Sequence, residues 1–195
     1  MPRKPRELLD GGIYHVFNRG NDLMNLFHED ADYQYFIQLL LINKRKMESE
    51  IYHYCLMTNH FHILLKIKEA CDLPMFMHSI QLAYARYFKK KYKFLGHLFQ
   101  QRFKGPRISE ESYYLQCGRY IERNPLKANM VQSPEDYAYS SARFYVLGKR
   151  DDLLTPNLYY EVLGFSEGER QLNYQKFLAV DEPYRSLIDN ELTKV

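Results

Sequence analysis

Tryptophan is absent from this 195-residue chain and cysteine is scarce. The three cysteines, Cys55, Cys71 and Cys117, are odd in number and share no CxxC spacing. That argues against a disulfide framework or a zinc ribbon and fits a reducing, cytoplasmic setting. No apolar run approaches the ~20 residues of a membrane span, and the leader MPRKPRELLD lacks the apolar stretch of a signal peptide. One further absence is regional: no Asp or Glu occurs between Leu73 and Ser109. Arg86, Lys89, Lys90, Lys91, Lys93, Arg102, Lys104 and Arg107 all fall inside that window. Residues 150–195 reverse the sign, with nine acids against five Lys or Arg, so the net charge of +3 hides a basic middle and an acidic end. A polyanion is expected on the middle of the chain, a plain solvated face being the alternative.

What is present is an ordinary globular balance, 46% hydrophobic and 26% charged, enough for one domain with a small appendage. Eighteen tyrosines and the aromatics interleaved with the basic run supply rings for base stacking, or else line a core. Residues 12–19 (GIYHVFNR) read as a strand closed by the turn residues Gly20, Asn21 and Asp22. A helix is predicted over 30–47, with Tyr33, Phe36, Ile37, Leu40 and Leu41 at spacings of three and four. Residues 51–67 carry the strongest strand signal, as one strand or as two with a bend near Thr58 and Asn59. Pro74 suits the first turn of a second helix ending near Lys91. Residues 96–107 read as a strand and turn, and Ser109 as the N-cap of a third helix that Pro125 ends or kinks. A weak strand over 128–131, turns or a helix over 133–147, and a helix over 167–178 complete the pattern. The order predicts an α+β fold: an antiparallel sheet with helices packed on one face and the other face left for a ligand.

The sharpest chemical feature is His60-Phe61-His62 within an apolar run. Side chains at i and i+2 of a strand share a face, so two imidazoles can converge on one ion while Phe61 enters the opposite layer. Two half-exposed histidines on an edge strand are the alternative. A second constellation is Tyr120 and Asn124, one helical turn apart, so that a phenol and an amide oxygen share a face, with Arg119 and Arg123 beside them to hold phosphate. Asn124 is a candidate third metal ligand, or merely a cap before Pro125; Glu122 points elsewhere and is expected in solvent. His15, His28, His53, His78 and His97 lack a same-face partner at ligand spacing, although His53 shares the strand region of the pair.

The segments MTNHFHILLK (57–66), GHLFQQRFK (96–104) and RYIERNPLKANMV (119–131) resemble the REP-associated tyrosine transposases, single-tyrosine HUH-class proteins that act on single-stranded DNA. YHVFNRGN (14–21) and DYAYSSARFY (136–145) are similar to that family as well, so the resemblance spans about residues 12–148. It implies a ferredoxin-like, RRM-like HUH nuclease domain over 1–148 followed by an acidic C-terminal extension, 149–195. It implies Tyr120 as nucleophile, His60, His62 and Asn124 as ligands of Mg²⁺ or Mn²⁺, and a 5′-phosphotyrosine intermediate. Its implied substrate is single-stranded DNA bearing hairpins, contacted by Arg86, Lys89, Lys90, Lys93, Arg102, Lys104, Arg107, Arg119 and Arg123. The protein is expected to be a monomer or homodimer with no membrane partner. Asn129 stands where that family leads one to expect glycine, and the leader bases Arg3, Lys4 and Arg6 either reach DNA or carry no structure. A non-catalytic single-stranded nucleic-acid-binding module on a similar sheet, and a hydrolase using activated water, are the rival classes.

Overall fold

The structure is a computed structural model that describes residues 8–109 and 111–180; the basic leader, residue 110 and the last fifteen residues lie outside the described residues. Among the described residues four strands, β1 (Ile13–Arg19), β2 (Glu50–Leu56), β3 (His60–Lys66) and β4 (Arg107–Ile108), form one antiparallel sheet in the order β2-β3-β1-β4. The long apolar stretch of 51–67 is therefore a hairpin, turning at residues 57–59. Residues 96–107, predicted as a strand and turn, run as an irregular segment as far as Arg107. It touches the sheet through isolated bridges, Phe17 to Lys104 and Gly20 to Phe99, before the two-residue β4.

Alternation along the strands sorts the side chains between two layers. Tyr14, Val16, Phe61, Ile63 and Leu65 face α1 (Asp30–Lys46) and α2 (Asp72–Tyr92), which supply Phe36, Leu40, Phe76, Ile80 and Tyr84 to the main core. The two helices are tied together at the buried Asp32 carboxylate. It accepts from Lys91 Nζ at 2.5 Å, Tyr92 Oη at 2.7 Å and Tyr87 Oη at 2.8 Å, and from the backbone N–H groups of His28 and Glu29. The opposite parity faces α3 (Glu111–Lys127), which lays Tyr114, Cys117, Tyr120 and Ile121 over Cys55 and Leu64. The sheet face expected to stand open is thus partly roofed by the third helix. In β2 a bulge between Ile51 and His53 turns both Tyr52 and His53 toward this second layer.

Pro125 lies inside α3 and does not end it. The carbonyl of Ile121, which a Pro N–H cannot reach, takes the Asn124 side-chain amide at 3.3 Å instead. After Lys127 the chain turns through Asn129 at φ +54°, and no strand forms over 128–131. The left-handed conformation accounts for the expectation of glycine there, and Asn is the side chain that best tolerates it. Residues 133–147 supply a short 3₁₀ turn and α4 (Ala142–Leu147). The segment read as an extension holds α5 (Leu158–Glu161) and α6 (Glu167–Ala179). It is packed onto the body: Thr155 N–H reaches Ile51 O at 2.8 Å, and Tyr174 and Leu178 join Tyr145 in a third apolar cluster. No helix among the described residues is long and apolar enough to cross a membrane.

Candidate active site

β3 brings His60 and His62 to the face beneath α3. His62 is wholly buried, boxed by the ring of Phe17 at 5.6 Å, Tyr120 edge-on at 5.5 Å and His15 at 5.1 Å between centroids. His60 lies at the rim, its ring perpendicular to that of His62 at 5.2 Å, with Nδ1 2.7 Å from Asn59 Oδ1. Burial holds both imidazoles neutral: His60 is drawn down to about 4 and His62 well below the usual histidine range, the latter also by its neighbours His15 and His60. Neutral imidazole is the form that offers a lone pair to a cation.

Asn124 stands one turn beyond Tyr120, and its side chain is near enough to His60 to oppose the burial effect on that ring. Its amide nitrogen donates to Tyr120 O at 2.8 Å and Ile121 O at 3.3 Å. With the N–H groups turned back onto the helix, the carbonyl oxygen is the end available at the site. Pro125 therefore does two things at once: it frees a carbonyl, and that carbonyl orients the amide. Tyr120 is 5% exposed, and the Lys127 ammonium lies 5.2 Å from its ring centroid. Among the described residues no three His, Cys, Asp or Glu side chains cluster so as to hold an ion by themselves. A cation here would rest on two imidazoles and a carboxamide. The set fits that role, because His62 Nε2 is buried without a hydrogen-bond partner among the described residues while its other nitrogen is engaged.

The basic residues divide by position. Arg102 and Lys104 line a cleft with Phe17, Asn18, Arg19, Gln100 and Gln101, and Lys104 Nζ lies 6.0 Å from the ring of Phe17, which in turn abuts His62. Arg107 is exposed on the edge strand. Arg86, Lys89 and Lys90 are exposed on α2, and Lys93 just after it, across the sheet from the histidines. Arg119 and Arg123 are not where the sequence predicts. Arg119 is 3% exposed with its guanidinium 4.7 Å from the ring of Phe177, and Arg123 donates to Leu178 O, so both turn to α6 and neither stands beside Tyr120 toward solvent. Helical spacing placed them near Tyr120 but could not show that a distant helix covers them.

Glu122, expected in solvent, is fully buried. It accepts from His53 Nδ1 at 2.8 Å, Ser141 Oγ at 2.5 Å and Tyr174 Oη at 2.9 Å. His15, expected to lack a same-face partner, lies against His62; Arg19 lines the adjoining cleft and Lys127 lies over the ring of Tyr120. Lys127 is seven residues from Tyr120, two helical turns along one face, a spacing that was legible. His15 was not, because its partner lies on another strand and only the register brings them together.

Two histidines on a central strand thus lie beneath a tyrosine-bearing helix, on an antiparallel sheet backed by two helices. Residues 10–124, more than half of the chain, match the family described as Transposase IS200 like, and the chain belongs to that family. Among solved structures it is similar to a REP-associated tyrosine transposase bound to a REP hairpin, with TM-score 0.65 and 20% identity over 81% of this chain and 93% of that one. At that identity the likeness shows the fold. A putative transposase from Deinococcus radiodurans R1 (TM-score 0.43, 18% identity, 63% of this chain and 97% of that one) is more distant. So is the tRNA(His) guanylyltransferase of Saccharomyces cerevisiae (0.49, 10%, 93% and 84%). No curated protein matches.

Proposed function

We propose that the protein nicks and rejoins single-stranded DNA, with Tyr120 as nucleophile and a 5′-phosphotyrosine link to the cut strand. The observation that carries this reading is the convergence of three groups in one chain: the ring of Tyr120 against His62, the amide of Asn124 against His60, and Lys127 beside the phenol. In the nicking step the phenolic oxygen bonds to phosphorus and the P–O3′ bond breaks, leaving a free 3′-OH. A 3′-OH that attacks the phosphotyrosine reverses the step, so strands are joined without a nucleotide cofactor.

His60, His62 and Asn124 would hold Mg²⁺ or Mn²⁺, which when bound withdraws charge from the phosphate and steadies the departing oxygen. The chain's own residues do the rest. A free phenol ionises near 10, so only ~0.1% is phenolate at neutral pH. The aromatic packing of Tyr120 on His62 and His15 restricts its ring to one approach, which is where most of the rate would come from. Arg102 and Lys104 lead the strand toward the site through the adjoining cleft, and Arg19 extends that cleft. The REP hairpin on the similar structure suggests hairpin-bearing DNA as the substrate here too.

We place the reaction in residues 1–148 and assign residues 149–180 a buttressing role behind the tyrosine helix. One chain brings the tyrosine and the imidazoles together, so a monomer suffices. The test is a labelled DNA hairpin with a single-stranded flank, incubated with Mn²⁺ and then with EDTA. Cleavage that needs the ion and leaves a protein-linked product supports the proposal; binding indifferent to chelator with no cleavage favours a module that only binds nucleic acid.

A further inference from the structure

His15 is 0% exposed and sits at the centre of the sheet, on β1 opposite Leu64, which makes it the diagonal same-face neighbour of His62 on β3. Its Nε2 lies 2.9 Å from His62 Nδ1. That is its one side-chain hydrogen bond among the described residues, and its Nδ1 is buried without a partner. The surroundings are apolar: Phe17 at 5.0 Å and Tyr120 at 6.1 Å between ring centroids. A Leu or Phe would fill this space and bring no unpartnered nitrogen of its own, so packing alone gives no reason for an imidazole; what either would remove is the partner of His62 Nδ1.

The hydrogen bond does give one. Two neutral imidazoles 2.9 Å apart share one proton, which resides on either His62 Nδ1 or His15 Nε2. A cation at His62 Nε2 needs that nitrogen's lone pair, which requires the ring proton on Nδ1. In that state His15 Nε2 is the acceptor and His15 carries its own proton on Nδ1. We infer that His15 is a positioning residue that fixes the tautomer and ring angle of His62, presenting Nε2 to the divalent ion. It neither touches the ion nor reacts. The inference rests on the metal site proposed above and adds a member outside the His-x-His pair.

The test compares the wild type with His15→Phe and His15→Gln, each shown to be folded by its melting curve. Mn²⁺ binding is followed by electron paramagnetic resonance, and the ring nitrogens of His62 by ¹⁵N NMR of the Zn²⁺-loaded and metal-free proteins. Loss of an outer partner of a ligating imidazole lowers metal affinity by roughly 10–100-fold, the weakening expected for His15→Phe, together with loss of the Nδ1–H pattern at His62. His15→Gln retains an acceptor oxygen and is expected within about threefold of wild type. Equal Mn²⁺ affinity of wild type and His15→Phe would overturn this inference and leave the metal site standing. So would a His15→Gln variant as weak as His15→Phe. A wild type that takes up no Mn²⁺ overturns the metal site itself, and the role of His15 with it.

Discussion

The carboxylate of Glu122 accepts the Nδ1 proton of His53 at 2.8 Å, with both side chains out of solvent, and this pair fastens the tyrosine helix to the bulged strand β2. Ser141 from the N-cap of α4 and Tyr174 from α6 complete the carboxylate, while Asn157 Nδ2 donates to His53 Nε2 at 3.0 Å. The bulge in β2 exists where this contact needs it, since without the extra residue His53 would turn to the other layer. Gly118 lies over the ring, where an added Cβ would meet His53 Nε2 at 2.8 Å.

Removing one member of such a network strands the others, and each buried polar group left unsatisfied costs about 1–3 kcal/mol. Glu122→Ala is expected to lower stability by that order in urea denaturation. Nicking should fall as well, because Tyr120 is two residues away on the helix so held.

Acid should loosen the other layer first. Burial alone would raise the Asp32 pKa, but its hydrogen bonds from Lys91, Tyr92, the His28 N–H and Tyr87 outweigh that and hold it near 2. A depressed native pKa contributes stability that is complete above the unfolded value near 4 and lost as pH falls toward 2. At one pKa unit per 1.36 kcal/mol the contribution is about 2 kcal/mol, order of magnitude only. Asp32→Asn should abolish that part of the acid sensitivity between pH 4 and 2 in thermal melts.

Asn124 separates its two roles by substitution. Asn124→Asp keeps an oxygen for a cation but loses the donor to Tyr120 O and Ile121 O. It is expected to bind Mn²⁺ at least as well as wild type while losing about 1 kcal/mol of stability. Asn124→Ala loses both. Calorimetric melts alongside Mn²⁺ titrations check the pair.

For the DNA path, replacing Arg102 and Lys104 together with Gln should weaken hairpin binding and reduce the slope of log K against log salt by about 2. The same change at Lys89 and Lys90, across the sheet from the histidines, should reduce it less. Fluorescence anisotropy over a salt series reads both slopes.

Much of this was legible in the sequence because it follows from local period. The parity of His60, Phe61 and His62, the turn between β2 and β3, the helix opened near Pro74 and the one-turn spacing of Tyr120 and Asn124 all depend on neighbours in the chain. What escaped depends on partners far along it. His15 meets His62 through strand register, Glu122 meets His53 through a bulge, and Arg119 and Arg123 are covered by a helix some fifty residues on. An acid or a base at a helical position looks the same in sequence whether it faces water or a distant tyrosine. Residues 96–107 failed for the opposite reason: an aromatic, basic stretch imitates a strand, yet short of Arg107, where β4 begins, only isolated bridges form, and the irregular backbone instead walls the cleft beside Phe17.

The measurement that bears most directly on the account is denaturing gel electrophoresis of the protein after incubation with a labelled hairpin oligonucleotide and Mn²⁺. Wild type should carry label covalently, and Tyr120→Phe, folded to the same melting temperature, should carry none. An adduct of equal yield in Tyr120→Phe would contradict the account, for the nucleophile would then lie elsewhere.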